Sequence, residues 1–320
     1  MSDIPKRRRD YNSRKNIDDN KYENLSDLDF NESSEVEESV NLPKKKKKKK
    51  RRFLKFIFNL FLIFILLIAG LLTYGYVTAK PMNILVLGSD AREGEEPDST
   101  RADSLMILRV DPKKREIVKF SIPRDTIATL ACGDQVEDRI NHSLAFGGLD
   151  CTEKTVENLF DIEIDYHFFF NFSTFEIVVD DVGGVDVVAN STFSEPSITT
   201  GETHTFEEGQ KYHMDGDMAL SYARHRKTDS DFVRGERQQQ IIEAIISEIN
   251  IANAFNLLNS VLKQAETNFN IISASRLFPI LFGEIEIKTI ELRVFRDSSF
   301  GKYLVRLEDE NIAEVHEKFS

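Results

Sequence analysis

The apolar and polar positions divide the chain into three stretches. Residues 1–43 carry few apolar side chains and are rich in Asn, Ser, Asp, Glu and Arg. Such a segment cannot bury enough surface to offset its ordering entropy, so disorder is expected there. Phe56 to Tyr76 is the opposite: 21 residues without a charge, with Asn59 the only strongly polar side chain. As a helix, that length crosses a hydrocarbon core of roughly 30 Å. It exceeds a signal-peptide apolar region, and no clear small-x-small cleavage site follows. Lys44 to Arg52 is an unbroken basic run before it. Positive charge stays cytoplasmic, which puts the N-terminus inside and residues from about 80 onward outside, with Tyr74 and Tyr76 at the outer interface. The expected organisation is a basic cytoplasmic tail over 1–52, a transmembrane signal-anchor helix over 53–79, and one extracytoplasmic domain over 80–320.

Within that domain the periodicity alternates between strand and helix. Asn83–Leu87 is a continuous apolar run, as in a strand buried on both faces. Ser104–Val110 and Glu116–Ile122 flank Asp111-Pro-Lys-Lys114, a turn signal that predicts a hairpin. Thr152 is placed to cap a helix through Phe160. Tyr166–Phe172 reads as a strand, and Ser173-Thr-Phe-Glu176 as a capping box opening a helix to about Val182. A short strand over Val185–Ala189 follows, then helices over Gly216–Arg226 and Arg234–Asn250. In the second of these, Ile241, Ile242, Ile245, Ile246 and Ile249 recur at helical spacing. Strands over Ile290–Phe295 and Tyr303–Val305 and a helix over Glu310–Phe319 close the pattern. Strands alternating with helices predict an α/β class, one central mixed sheet in an α/β/α sandwich.

Charge sharpens this picture. Residues 1–52 carry a net +5; the whole chain is −12, leaving −17 for the remainder. So acidic a domain excludes general nucleic-acid binding, which needs a Lys/Arg surplus. The basic run before the span is suited to membrane lipid of the inner leaflet. Cys132 and Cys151 are the only cysteines. An extracytoplasmic location permits a disulfide between them across a short loop, with two free thiols the alternative. Two cysteines without clustered histidines do not make a zinc site.

Candidate chemistry collects at strand ends. Asp90 and Arg92 follow the first strand, Arg101 and Asp103 precede the second, and Arg124 and Asp125 follow the third. Arg224, Arg226, Asp231, Arg234 and Arg237 crowd the stretch Tyr222–Gln240. In a hairpin, Arg101/Asp103 and Arg124/Asp125 become neighbours, and a first strand parallel to the third brings Asp90 beside them. Arginine forks bind phosphate oxygens bidentately. Paired carboxylates hold Mg²⁺ together with waters and substrate phosphates. Phosphoryl transfer needs mainly positioning and charge neutralisation. Surface salt bridges among the same residues are the alternative.

The motifs Ile84-Leu-Val-Leu-Gly-Ser-Asp-Ala-Arg92, Thr100-Arg-Ala-Asp-Ser-Leu-Met-Ile107 and Ser121-Ile-Pro-Arg-Asp125 resemble those of the LytR-CpsA-Psr family. So do Arg139-Ile-Asn-His-Ser-Leu-Ala-Phe-Gly-Gly148, Thr155–Leu159, Ile164-Asp-Tyr166, Val182-Gly-Gly-Val185 and the Tyr222–Gln240 block. The resemblance covers about residues 82–250. It implies an α/β/α fold and a phosphotransferase that moves a teichoic-acid- or capsule-like glycopolymer phosphate from a polyprenyl-pyrophosphate carrier onto peptidoglycan. It further implies Asp90 and Asp103 as ligands of Mg²⁺ (or Mn²⁺). Arg101, Arg124, Arg224, Arg226 and Arg234 become the catalytic arginines. With Arg92, Asp125, Asp231 and Arg237 they make up the substrate-binding set, Asp231 helping to position an arginine. Cys132 and Cys151 lie outside the catalytic pattern and read as structural. The aromatic run Tyr166–Phe172 has two readings, lipid-tunnel lining or core. His142 and His225 are candidate bases or ordinary hydrogen-bonding histidines. A non-catalytic lipid-binding or regulatory module, and a polyprenyl-pyrophosphate hydrolase, are the alternative functions.

Overall fold

The structure is a computed structural model that describes residues 47–89, 100–226, 231–297 and 304–320, with backbone alone at 47–50, 231 and 232. The chain divides into two compact units, Met1–Lys55 and Phe56–Ser320. Helix α1 (Lys47–Thr78) is long and apolar enough, over Arg51–Thr78, to cross a membrane, with a mean hydropathy of 2.7. Its side chains are exposed from Arg51 through Gly70.

A six-stranded mixed sheet centres the second unit. It contains β1 (Met82–Gly88), β2 (Ser104–Asp111), β3 (Glu116–Ile122), β6 (Tyr166–Phe170), β11 (Glu266–Thr267) and β12 (Glu286–Thr289), in the order β11-β6-β1-β2-β3-β12. β1, β2 and β3 form an antiparallel meander, and β6 and β12 add parallel to β1 and β3. β1 therefore runs parallel to β3, as the strand-end argument requires. The β2–β3 turn is closed by Asp111, whose Oδ1 accepts from the amides of Lys113 and Lys114 at 3.1 Å each, an Asx turn.

The period-2 alternation of these strands feeds two cores. Leu85, Leu105, Ile107, Phe120 and Ile122 face α2 (His142–Phe160) and α8 (Asp309–Phe319), meeting Leu144, Phe160, Val315 and Phe319. Ile84, Val110 and Ile117 face the other way, towards Ile246 of α5 (Asp231–Glu248) and Ile280. Helices thus cover both faces, giving the expected α/β/α sandwich. Beside it, α3 (Phe172–Asp181), α4 (Gly216–Arg224) and α5 enclose Tyr222 with the ribbons β7–β10 (Val185–Val188, Lys211–Met214) and β8–β9 (Phe193–Pro196, Thr203–Phe206).

Two buried polar residues tie the layers. Asn83, on β1, donates Nδ2 to the carbonyls of Glu163 and Phe319 at 2.8 and 2.7 Å. Lys119 is fully buried on β3, and its Nζ lies 2.7 Å from Glu243 Oε1 on α5. A buried ammonium requires such a partner.

Several local expectations shift. α2 opens at His142, ten residues before Thr152, and carries non-helical backbone at Gly147 and Gly148. The break comes from packing: a Cβ on Gly147 would lie 2.7 Å from Cys151 Cβ and 2.9 Å from Cys132 Cβ. Those cysteines form a disulfide that ties the loop after β4 (Ile127–Thr129) to α2. α3 is capped by Asn171, whose side chain accepts from the Thr174 amide at 2.9 Å, and not by Ser173. The strand expected over Ile290–Phe295 is displaced to β13 (Val294–Asp297), which pairs with β14 (Leu304–Leu307) outside the main sheet. Short elements without their own periodicity also escape the sequence: β5 (Glu137–Arg139), β8, β9, β11, β12 and α7 (Ile271–Arg276); α6 (Ala254–Gln264) was missed although Phe255, Leu258 and Leu262 recur at helical spacing.

Candidate active site

The meander brings the end of β1, the start of β2 and the ends of β3 and β6 to one sheet edge. The Asp103 amide donates to Gly88 O at 2.8 Å and the Ser89 amide to Phe170 O at 3.0 Å, fixing that edge. Asp103 therefore stands beside Arg124, whose Nη1 donates to Asp103 Oδ1 at 2.7 Å. From the α4–α5 connection, Arg226 Nη2 reaches Asp103 Oδ2 at 3.0 Å. Asp125, next to Arg124, takes Arg139 Nη1 at 3.0 Å. The result is a row of alternating charge, Arg226–Asp103–Arg124–Asp125–Arg139, with basic residues at both ends.

A second basic point lies beside it. Arg224, at the end of α4, donates Nη2 to Glu195 Oε1 at 3.0 Å, while Glu195 Oε2 holds His225 Nδ1 at 2.8 Å. Arg234 is buried on α5. Asp103, Arg224, Arg226 and Arg234 share one cavity of about 960 Å³. The remainder of its lining is mainly apolar, with Ile84, Val86, Phe168 and Phe170 from the sheet and Ile242, Ile245, Ile246 and Ile249 from α5. The cavity is thus a long oily chamber with a cluster of arginines at one end.

The aromatic run resolves by alternation. Phe168 and Phe170 face the cavity, with ring centroids 6.2 Å apart, and Phe172 joins them there. Phe169 points to the opposite face and into the core. Cavity lining and core therefore alternate along the run.

The other expected site residues are distributed as follows. Arg101 is exposed near the same edge. Arg237 is fully buried beneath the site: its Nη2 donates to His225 O at 2.9 Å and its guanidinium stacks over Phe193 at 4.8 Å. Expected among the substrate-binding residues, it holds the backbone of the Arg224–Arg226 segment and is not among the residues that line the cavity. His225 is likewise buried, stacked on Phe193 at 4.1 Å. His142 pairs with Asp138 at 2.8 Å on the first turn of α2. Asp90 and Arg92 lie outside the described residues, as does the Asp231 side chain. Three lining or network residues were missed: Arg139, Gln238 and Glu195. Arg139 opens the Arg139-Ile-Asn-His motif, and Gln238 sits four residues after Arg234, on the same helical face. Glu195 had no signal, being a lone acid in a short ribbon.

Asp103 suits a divalent cation. Its carboxylate is partly exposed at the cavity's polar end, and both its oxygens are held by arginines that a pyrophosphate would attract. Among the described residues no three His, Cys, Asp or Glu side chains converge. A magnesium ion takes one or two carboxylates and completes its shell with water and phosphate, so this sparse donor set fits.

Residues 31–320 match the description of the LytR_cpsA_psr family. The chain belongs to the LytR_cpsA_psr family. A curated relative from Halalkalibacterium halodurans, polyisoprenyl-teichoic acid–peptidoglycan teichoic acid transferase TagU, is 41% identical over 197 residues, 60% of this chain and 62% of the relative. The chain thus spans under two thirds of that relative's length. The crystal structure of Bacillus subtilis TagV matches with a TM-score of 0.65 and 32% identity, covering 76% of this chain and 96% of that one. The family protein YwtF (TagT) with bound octaprenyl pyrophosphate lipid matches with a TM-score of 0.57 and 28% identity, covering 75% and 88%. The mixed sheet with helices on both faces is the fold of the family.

Proposed function

We propose that this chain is a phosphotransferase that moves a glycopolymer phosphate, teichoic-acid-like or capsule-like, from a polyprenyl-pyrophosphate carrier onto peptidoglycan. The observation that carries the proposal is the cavity: an apolar chamber of about 960 Å³ whose polar end holds Asp103, Arg224, Arg226 and Arg234. A polyprenyl pyrophosphate has the same polarity, a long hydrocarbon with a charged head. The relatives' names, which specify transfer of teichoic acid to peptidoglycan, and the octaprenyl pyrophosphate in YwtF point the same way.

The reaction follows from the charges. The tail lies along β1, β6 and α5, and the pyrophosphate reaches the arginines. Arg124 and Arg226 exchange Asp103 for phosphate oxygens, while Glu195 keeps Arg224 oriented. A peptidoglycan hydroxyl attacks the glycan-bearing phosphorus. The new O–P bond forms as the bond to the bridging oxygen breaks, and polyprenyl phosphate leaves carrying the proton given up by the hydroxyl, its remaining charge held by the arginine forks. Asp103, with Asp90 by resemblance, would hold Mg²⁺, whose chemistry is to neutralise and polarise the phosphoryl oxygens. α1 crosses the membrane with the basic tail cytoplasmic and the catalytic domain outside.

The test is purified full-length protein with a polyprenyl-pyrophosphate glycan donor, assayed with and without peptidoglycan. Acceptor-dependent transfer is expected, weakened when Ile242→Trp narrows the chamber. Equal release of glycan phosphate without acceptor would identify a hydrolase. Donor binding without any release would identify a lipid-binding module.

A further inference from the structure

The cavity has an outer rim, and that rim meets α1. A Cβ on Gly75 would lie 2.2 Å from Ser275 O, so the helix backbone rests directly on α7. One turn earlier, Leu71 and Leu72 line the cavity. Around this junction Ile251, Phe255, Ile271, Ile272 and Phe282 are all exposed, Phe255 by 74% and Ile271 by 57%. Ile251, Phe255 and Ile271 are also part of the cavity lining. Phe282 packs edge-on against Phe278, another lining residue, with ring centroids 4.7 Å apart. These side chains therefore belong both to the chamber wall and to the surface around it. Scattered exposed apolar residues are ordinary, but a group converging on one opening marks an interaction surface.

The occupant follows from the helix. Tyr74 and Tyr76 flank Gly75 and are exposed, and tyrosines at the end of an apolar span sit at headgroup level. The Gly75–Ser275 contact holds α7 at that same level. We propose that this rim docks in the outer leaflet of the bilayer, so that the chamber opens into the acyl region and a lipid tail enters it without crossing water. The inference rests on the reading that α1 spans the membrane. Charge attraction is not the cause, since residues 53–320 carry a net −17. Apolar burial is, and the docking is therefore insensitive to salt.

The chain has no tryptophan, so each Trp substitution creates a single fluorescent reporter. Full-length Phe255→Trp, Ile272→Trp, Phe61→Trp and Phe146→Trp are placed in nanodiscs whose lipids carry bromine on the acyl chains. Phe61 lies within the span, and Phe146, 61% exposed on α2, is the solvent reference. Every site is exposed, so the core packing is untouched, and unchanged circular dichroism verifies this. Emission at 255 and 272 is expected to shift to shorter wavelength and be quenched, as at 61, while 146 is neither, at both low and high salt. If 61 is quenched and 255 and 272 behave like 146, the docking is overturned and the span stands. If 61 is also unquenched, both fall. Quenching at 255 and 272 that vanishes in high salt overturns the apolar docking.

Discussion

Replacing Asp103 by Asn removes one charge from the centre of the arginine row while keeping the side chain's size. In the structure Asp103 accepts from Arg124 at 2.7 Å and from Arg226 at 3.0 Å. A hydrogen bond to a charged group contributes about 1.5–3 kcal/mol. Arg226 is half-exposed, which puts its pair at the weak end. A net destabilisation of about 1–3 kcal/mol is therefore expected, lowering Tm by roughly 2–4 °C per kcal/mol in a domain of this size. The effect on transfer is larger. Losing one preorganised charge-stabilising group costs on the order of 10²–10³ in rate, and here the proposed cation loses a ligand and two arginines lose their anchor together. The assay is glycan transfer from a polyprenyl-pyrophosphate donor to peptidoglycan, with and without EDTA, alongside thermal melting. Asp103→Asn should melt within several degrees of wild type yet transfer at least about a hundredfold more slowly, and EDTA should reduce wild-type transfer. If Asp103→Asn transfers as fast as wild type and EDTA changes neither, the magnesium assignment is refuted. If Arg124→Lys is also without effect, the arginine cradle is refuted with it.

Three further outcomes are expected. Protease added to intact protoplasts should remove the domain beyond residue 80 and spare an N-terminal tag; protection of the domain would reverse the topology. Protein isolated without reductant should show no reactive thiols under denaturing conditions. Cys132→Ser with Cys151→Ser should lower stability by about 3 kcal/mol on the chain-entropy account of a loop this short. Two quantitatively reactive thiols in the wild type would exclude the bridge. Arg306 binds Glu137 through both terminal nitrogens at 3.1 Å, and this hydrogen bonding holds the Glu137 carboxyl below its usual range. The stabilisation is intact above the ordinary glutamate value of about 4.3 and is lost as pH falls through the lower folded value. Melting from pH 6 downward should show Glu137→Gln less stable than wild type at the top of the range, with the gap closing in acid; a constant gap would contradict the pairing.

The sheet and its chemistry were legible because they follow from short-range pattern. Asn83–Leu87, Ser104–Val110 and Glu116–Ile122 announce themselves as apolar runs around a turn. Once a meander is drawn, Asp103 and Arg124 can only be neighbours. What escaped depends on contacts far apart in sequence. Nothing near residue 147 says that a disulfide will crowd it, so the start of α2 was misplaced. Arg237 has the same local appearance as Arg234, three residues away, and only the third dimension puts it under Phe193 and away from the cavity. The division of Tyr166–Phe172 between chamber and core depends on where β6 lands in the sheet. The cavity itself had no sequence signal beyond that aromatic run, because its walls come from the sheet, α5, α6 and α7 together.

The Asn83 tether constrains the order in which the domain can be completed. Asn83 lies on the first strand, and its Nδ2 is satisfied by the carbonyl of Phe319, 236 positions later. Arg109, on the second strand, donates to that same carbonyl at 2.6 Å. The opening meander is thus made long before the helix that closes over it. Until α8 arrives, Phe120 lacks the Phe319 ring that packs edge-on against it, and Asn83 Nδ2 has only the Glu163 carbonyl. Contacts this distant slow folding, and on the proposed topology the waiting would happen at the outer face of the membrane, with part of the sheet open to other chains. On that topology, a foldase outside the membrane would find its binding surface on the part of the sheet that α8 covers last.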